Sequence, residues 1–451
     1  MTIPLDNLYD YIFNVATSAD KSFKNTEMYY FFPYGSKSFK NLSIYKSDFD
    51  DLELNNITKS DVKLSMLYKK SIFCNDQEPL DFDLYQNVEE IKKYIKDSQI
   101  RSPTYLDILS KNNIASHPSA RCTMYDKNII IHSEKNSEDL KKYEDNGFIG
   151  VFYWSHAIIS LDWFRFANYD SNISFYDIES FKKDFNVYCR AWDGTREYRL
   201  EVLNKIFSNG IIDFCEIHFN PYDSNHIHFL DYEPDNKKWT IPPEEIENRC
   251  SIKQNSASSL SASYAPDDYK NTAIDLVLET VFDQNKIHLT EKIMRPIACG
   301  KPFILVAGPE SLKFLRSYGF ETFGSIIDES YDDIINPQTR LAAVISTVEK
   351  ITNLPKEKKK ILFQEMHEIA ERNKKHFFSE KFMNTVLNEL TENMNEAVNY
   401  LNENCRTGKE LKLWTGVCAK GGEIEAKDWG IFTLEELHSL ITISKKIVCR
   451  N

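Results

Sequence analysis

Two short segments hold most of the residues whose types and spacing could do chemistry. The first, C-R-A-W-D-G-T-R-E-Y-R-L from Cys189 to Leu200, gathers Arg190, Arg196 and Arg199 around a turn that Gly194 permits and a helix that Thr195 can cap. Arginine is disfavoured at the positive end of a helix dipole. Three of them beside the N–H groups of a first helical turn make sense if an anion sits in the gap, and a diphosphate suits their forked geometry. Surface pairing with Asp193, Glu197 or Glu201 is the plainer alternative. The second segment runs I-H-L-T-E-K-I-M-R-P-I-A-C-G-K-P-F-I-L from Ile287 to Leu305. Thr290 caps a helix there, Glu291 and Lys292 project from its first turn, Gly300 ends it, and Lys301 leads into a buried strand. A carboxylate so placed can accept hydrogen bonds from ribose or sugar hydroxyls, and a lysine can neutralise a phosphate. A capped helix with surface charges would explain the same residues.

Candidates for a base lie earlier in the chain. Asn75-Asp76-Gln77-Glu78-Pro79 follows the strand-like SIFC, so Asp76 and Glu78 stand at a strand end where a hydroxyl could be deprotonated. His156 follows VFYWS and opens a helix, which makes it a second candidate. Asp76 as a turn cap and His156 as a satisfied core histidine are the structural alternatives. His218, His226 and His228 invite a metal reading, but no acidic or cysteine ligand accompanies them at fixed spacing, and no metal is expected. The acids of D-E-S-Y-D-D, Asp328 to Asp333, read as turn and helix caps.

The elements that must position these groups alternate. Between residues 70 and 166 short apolar runs (SIFC, NIIIHS, FIGVFYW) are separated by helical stretches, including VEEIKKYI and a helix over Ser137 to Asp145. A second series starts at FNVYCRAW and continues with a helix from Thr195 to Asn209, then IIDFCEIHF, IDLVLETVF, a helix over Glu291 to Cys299, and FILV. Such alternation predicts α/β architecture with parallel sheets and crossover helices. Two successive series suggest two Rossmann-like domains facing each other across a cleft, residues 1–180 and 181–378, with ligands at the carboxyl ends of the strands. Residues 231–263 are polar and irregular, a candidate insertion or lid. Beyond Pro337 the pattern is helical to about residue 404 with a break at Pro355, so residues 379–451 form a helical extension and a tail.

Acidic residues outnumber basic ones 68 to 55, for a formal net charge of −13, which disfavours a general polyanion binder. No basic leader with an apolar stretch opens the chain and no run is long enough for a membrane span, so a cytoplasmic protein is expected. The nine cysteines are scattered without a C-x-x-C, as buried free thiols are.

The stretch L-E-T-V-F-D-Q-N-K-I-H-L-T-E-K, followed by G-K-P-F-I-L-V-A-G-P, resembles the donor-binding region of the α-1,3-fucosyltransferase family. By that resemblance Glu279 takes the place of the family's strand glutamate, and Thr290, Glu291 and Lys292 that of its threonine-glutamate-lysine triplet. R-E-Y-R-L, Arg196 to Leu200, is similar to its arginine-rich helix start, which contacts the donor diphosphate. The loop after Glu279 is about two residues longer than the family's, Thr280 stands where the family has asparagine, and either arginine could be the match. Over roughly residues 70 to 340 the chain is also similar to a glycosyltransferase-like group of bacteriophages and some bacteria, through D-Q-E-P-L-D, H-S-E-K-N-S, Y-W-S-H-A, D-W-F-R, G-T-R-E-Y-R-L and D-E-S-Y-D-D.

The resemblances imply a GT-B glycosyltransferase, with no metal or other cofactor, that moves a sugar from a nucleoside-diphosphate sugar, a GDP-sugar first, to a hydroxyl acceptor. Donor contacts would come from Arg190, Thr195, Arg196, Arg199, Glu279, Thr290, Glu291, Lys292 and Lys301, and the base would be Asp76, Glu78 or His156. The acidic total favours a glycan or small molecule as acceptor. A phage-type enzyme acting on hydroxylated DNA bases, a sugar-nucleotide epimerase and a non-catalytic GT-B-fold protein are the alternatives.

Overall fold

The computed structural model describes residues 6–21, 27–30, 71–75, 79–80, 128–145, 148–166, 177–222, 227–231, 246, 250–252, 269–404, 411–412 and 431–432. After helix α1 (Asp6–Ala19) come strands β1 (Glu27–Tyr30), β2 (Ser71–Asn75) and β3 (Asn128–His132), helix α2 (Glu138–Asp145), strand β4 (Phe148–Phe152) and helix α3 (Ser155–Phe166). The four strands form one parallel sheet in sequence order.

A second parallel sheet follows. Its elements are β5 (Lys183–Cys189), α4 (Tyr198–Ser208), β6 (Cys215–Phe219), β7 (Cys250–Ile252), β8 (Thr272–Leu278), α5 (Glu291–Cys299) and β9 (Phe303–Val306). The spatial order is β7-β6-β5-β8-β9, so the winding direction reverses between β5 and β8. All seven residues of β8 are buried, as a central parallel strand covered on both faces requires. The expected α/β alternation is therefore present, with two parallel sheets.

Helices α6 (Ser311–Ser317), α7 (Pro337–Thr352), α8 (Lys356–Phe377) and α9 (Glu380–Asn404) complete the core. Pro355 stands at the N-cap of α8, where a missing N–H costs nothing. The D-E-S-Y-D-D acids do cap: Asp332 accepts from the N–H groups of Leu312 and Lys313 at 2.8 and 3.0 Å, and Glu329 from Phe323 at 2.7 Å.

Helix α9 returns to the first sheet, packing on α1, α3 and β4, and Asn393 donates to the Phe152 carbonyl at 2.9 Å. Lys135 pairs with Glu389 of α9 at 2.8 Å. One continuous apolar core runs from Ile12 to Leu401 through both sheets. Among the described residues no helix is long and apolar enough to cross a membrane.

Two local expectations shift. Helix α4 begins at Tyr198 behind a separate 3-10 turn at Gly194–Arg196, and residues Ile211–Phe214 form a 3-10 turn ahead of β6. Most of the polar stretch 231–263, the helix expected at VEEIKKYI and most of the tail lie outside the described residues.

Candidate functional site at the strand-order reversal

In an open parallel sheet the crevice for a ligand lies outside the carboxyl ends of the two strands between which the winding reverses. Here those strands are β5 and β8, and the segments leaving them are residues 190–196 and 279–292. They meet at Thr280. Thr195 Oγ1 donates to the Thr280 carbonyl at 3.2 Å, and Lys292 Nζ donates to Thr280 Oγ1 at 3.1 Å.

Glu279 is fully buried and works as a remote cap for α5. Its Oε1 accepts from the N–H groups of Thr290 and Ile293 at 3.1 and 3.3 Å, and its Oε2 from the Thr290 hydroxyl at 2.8 Å and the Thr280 N–H at 3.1 Å. These are the N–H groups a helix start leaves without internal partners. Burial raises the Glu279 pKa, while Lys292 and the Thr290 bonds oppose the rise. Thr290 is the N-cap, as its position ahead of Glu291 implied, and its hydroxyl accepts from the Lys292 N–H.

Glu291 and Lys292 diverge. The Glu291 side chain is buried, with Oε2 lying 3.5 Å from His156 Nδ1 and Oε1 3.1 Å from Lys292 Nζ. Burial acts to raise the Glu291 pKa, but Lys292, His156 and Arg295 outweigh it and hold the group below its ordinary value. Lys292 keeps about a quarter of its side chain exposed, 26%, while its ammonium donates to buried partners.

The arginines part company as well. Arg199 is 2% exposed and donates to three backbone carbonyls, those of Ala191 at 2.6 Å, Leu278 at 2.8 Å and Glu279 at 2.7 Å. It ties the end of β8 to the end of β5, with Tyr198 donating beside it to the Glu279 carbonyl at 2.6 Å. Contrary to expectation Arg199 does not face an anion, because its guanidinium is spent on carbonyls inside the protein. Arg196 is half-buried with Nη1 3.9 Å from Asp193, and Thr195 is exposed. Arg190 is half-buried, its guanidinium 5.2 Å from the Tyr188 ring centroid.

Lys301 requires a correction. It precedes β9 and donates to the carbonyls of Tyr269, at 2.7 Å, and Thr272, both at the start of β8. That is the amino edge of the sheet. Seven residues of β8 at about 3.3 Å each put roughly 20 Å between this lysine and the crevice. Fully buried, it is a structural tie.

His156 is likewise drawn inside. At 1% exposure it sits in a seam where residues leaving β3 and β4 press against residues leaving β8. Lys135 and Ile287 form a two-bond antiparallel bridge, each N–H to the other's carbonyl at 3.0 Å. Trp154 Nε1 donates to the Leu289 carbonyl at 3.0 Å, and Lys286 pairs with buried Glu134 at 2.8 Å. Where these strands end, described residues of the two sheets are in direct contact. Asp76 and Glu78 lie outside the described residues.

Several participants escaped the sequence reading. His288 packs edge-on to His156 with ring centroids 5.4 Å apart, and its Nδ1 lies 3.1 Å from Ser133 Oγ. Arg295, one turn below Glu291, and Asp275, which accepts from Asn186 at 2.7 Å, continue the buried charges under α5. A signal existed for both: Asp275 is the one acid in the apolar run of β8, and Arg295 stands four residues after Glu291 in a helix. No protein-family model matches the chain, and no curated protein matches it either.

Proposed function

We propose that the chain is a glycosyltransferase of the two-lobed GT-B type that binds a nucleoside-diphosphate sugar at the strand-order reversal. One observation carries the reading. The two segments richest in anion-binding and hydroxyl-binding residues leave the two strands that flank the reversal, and Thr195 of the first donates to the Thr280 carbonyl of the second, whose hydroxyl accepts from Lys292. The diphosphate lies against the 3-10 turn at Gly194–Arg196 with Arg196 and Lys292 at its sides, and Arg190 nearby. Displacement at the anomeric carbon sends negative charge onto the leaving diphosphate, where these cations and the turn's N–H groups stabilise it. Deprotonation of the acceptor falls to Asp76 or Glu78, since His156 is engaged with Glu291. A carbohydrate or other small hydroxylated acceptor suits a chain of net charge −13.

A thermal-shift screen of GDP, UDP, ADP, CDP and dTDP, without added metal, tests this. Binding to the folded state alone stabilises by about 2.7 kcal/mol at a hundredfold excess over Kd. A melting temperature unmoved by all five would end the donor-site reading. Transfer assays on a glycan panel and on hydroxylated-pyrimidine DNA then divide the acceptor classes, because binding through several DNA phosphates weakens steeply with salt.

A further inference from the structure

Two sheets that flank a crevice move relative to one another by default, unless the contact between them is large and apolar. Here ties between them leave from two strands and from a helix end. Beyond β3, Lys135 and Ile287 exchange two backbone bonds, and Glu134 and Lys286, 1% and 5% exposed, form an ion pair at 2.8 Å. Both members of that pair hold Leu80: its N–H donates to Glu134 Oε1 at 2.7 Å and its carbonyl accepts from Lys286 Nζ at 3.4 Å. Beyond β4, one strand away, Trp154 donates to the Leu289 carbonyl and meets Phe314 of α6 and Phe382 of α9 edge-on, with ring centroids 4.9 and 6.0 Å away. At the other end of α3, Arg165 donates to the Phe378 carbonyl at 3.1 Å, at the junction of α8 and α9.

A hinge keeps the contacts along its axis and breaks those away from it. An axis along α3, which rises roughly 15 Å between Ser155 and Arg165, would spare the Trp154 and Arg165 ties but tear those beyond β3. An axis through the β3 ties would pull Arg165 from Phe378 and α3 from α5, which pack together. The loop that bears Lys286 is no detached arm either. A Cβ on Gly308 would stand 2.4 Å from the Lys286 carbonyl, so the loop packs against the segment leaving β9 as closely as only a glycine permits. Parting the two halves would leave Glu134 and Lys286 each short of its counter-charge in a gap, and would split an apolar core shared by Ile131, Trp154, Leu289 and Phe314.

We propose that the two sheets and their helices are locked together at this seam, and that a nucleotide reaches and leaves the crevice at the strand-order reversal without their parting. The seam takes up the β3–β4 side of the first sheet and the loop after β8 in the second, so the ligand's route runs on the side of β5 and β6. The lock is a property of the fold. Only the naming of the ligand rests on the nucleotide-site reading above.

Pulsed electron-spin distance measurement reads the lock directly. Nitroxides are attached to p-acetylphenylalanine in place of Lys141 of α2 and Gln338 of α7, both exposed and one in each half. The full chain should give one narrow distance, unchanged by GDP and by GDP-mannose. A second distance in the free protein, or a shift when either nucleotide is added, would overturn the proposal. A cross-link gives an independent measurement. Antiparallel residues that exchange both backbone bonds have Cα atoms about 5.5 Å apart, within the range a disulfide spans. The double variant Lys135→Cys, Ile287→Cys should therefore oxidise in the folded protein and bind GDP with the same Kd before and after reduction. Failure to cross-link would show the two segments apart, and GDP binding lost on oxidation and regained with reductant would show that they must part; either result overturns the lock. Should GDP and GDP-mannose fail to bind at all, the nucleotide reading falls, while the spin distance of the free protein still decides the lock.

Discussion

The two edges of the second sheet each hold a lysine attached to α5, and the two do opposite work. Lys292, in the first turn, stands at the carboxyl edge with hydroxyl and carboxylate partners and a quarter of its side chain in solvent. Lys301, just past the last turn, stands at the amino edge, fully buried, with backbone carbonyls as partners. The acceptors at Lys292 are side chains, and part of the lysine meets solvent, whereas the acceptors at Lys301 are backbone carbonyls that have no substitute when left unpaired. The strand end, more than the residue type, separates a lysine that reaches solvent from one that is a buried tie.

The largest effect expected from this contrast is on stability. Lys301→Ala leaves the Tyr269 and Thr272 carbonyls without their donor and removes the cation near Asp275. A loss of about 3 kcal/mol follows, from roughly 1–3 kcal/mol for each stranded buried group. Urea denaturation measures it, and the folded fraction should bind nucleotide with unchanged affinity. Weakened binding there would make the amino edge part of the site and dissolve the contrast.

Lys292→Ala should do the reverse. Some stability is lost, because the Thr280 and Thr290 hydroxyls and the Glu291 carboxylate that it leaves are buried, but Arg295 stays beside Glu291 and the fold survives. Turnover with a verified donor falls by ~10²-fold, as for loss of one group that stabilises a developing negative charge. Steady-state kinetics beside an unfolding curve check both halves, and wild-type turnover in this variant would exclude Lys292 from the reaction.

How much of this was legible follows from the same residues. Most strands and helices beyond residue 70 were, because apolar runs of four to seven residues separated by amphipathic stretches have few other ways to be buried, but α1 and β1 were not read and β7 lies in the stretch expected to be irregular. Thr290 as a cap was legible too, being a local matter. Arg199 was not, since its inward direction depends on α4 starting at Tyr198 behind a separate 3-10 turn, a displacement no periodicity announces. Glu279 was assigned by resemblance, but its task as a cap for a helix that begins twelve residues later exists only once β8 and α5 are folded together. The burial of His156 needed the opposing sheet. Lys301 could have been placed: a residue just ahead of a parallel strand sits at the amino edge, and direction alone removed it from the crevice.

A pH series sharpens the contrast by a smaller amount. Burial pushes Lys301 down to about 7 from 10.5, against the pull of Asp275. Between those values the unfolded chain binds a proton that the folded chain does not, so the part of the stability owed to this group rises with pH across that window. Burial pushes Asp275 up to about 7 from 3.8, so its part falls as pH rises through the lower window. Each slope is at most about 1.4 kcal/mol per pH unit. Wild type should therefore gain stability over Lys301→Met from pH 7.5 to 9.5 in urea titrations, and parallel curves for the two proteins would mean that the lysine keeps its proton.

The smallest difference expected lies between two glycines at the same two edges. Gly194 begins the 3-10 turn at the crevice with φ of 59°, and Gly300 closes α5 at the amino edge with φ of 66°. Both are in the left-handed region, where an alanine costs about 1–2 kcal/mol. The surroundings differ. A Cβ on Gly194 meets nothing within 4 Å, while one on Gly300 comes within 3.4 Å of the Lys374 side chain and closer still to the flexible end of Glu371. On contacts alone, then, Gly300→Ala should be the more disruptive change, and thermal melts should show it losing at least as much stability as Gly194→Ala. For nucleotide affinity the order should invert. Relaxing the strained backbone at Gly194 turns the Thr195 N–H and strains the Thr195 contact to Thr280, so binding weakens by a few-fold, roughly 1 kcal/mol or less in the terms of one neutral hydrogen bond. Gly300→Ala, some seven residues of strand away, should leave the affinity of its folded fraction where it was. Equal affinities for the two variants would mean that the turn after β5 does not hold the phosphates, and that Lys292 marks the site without it.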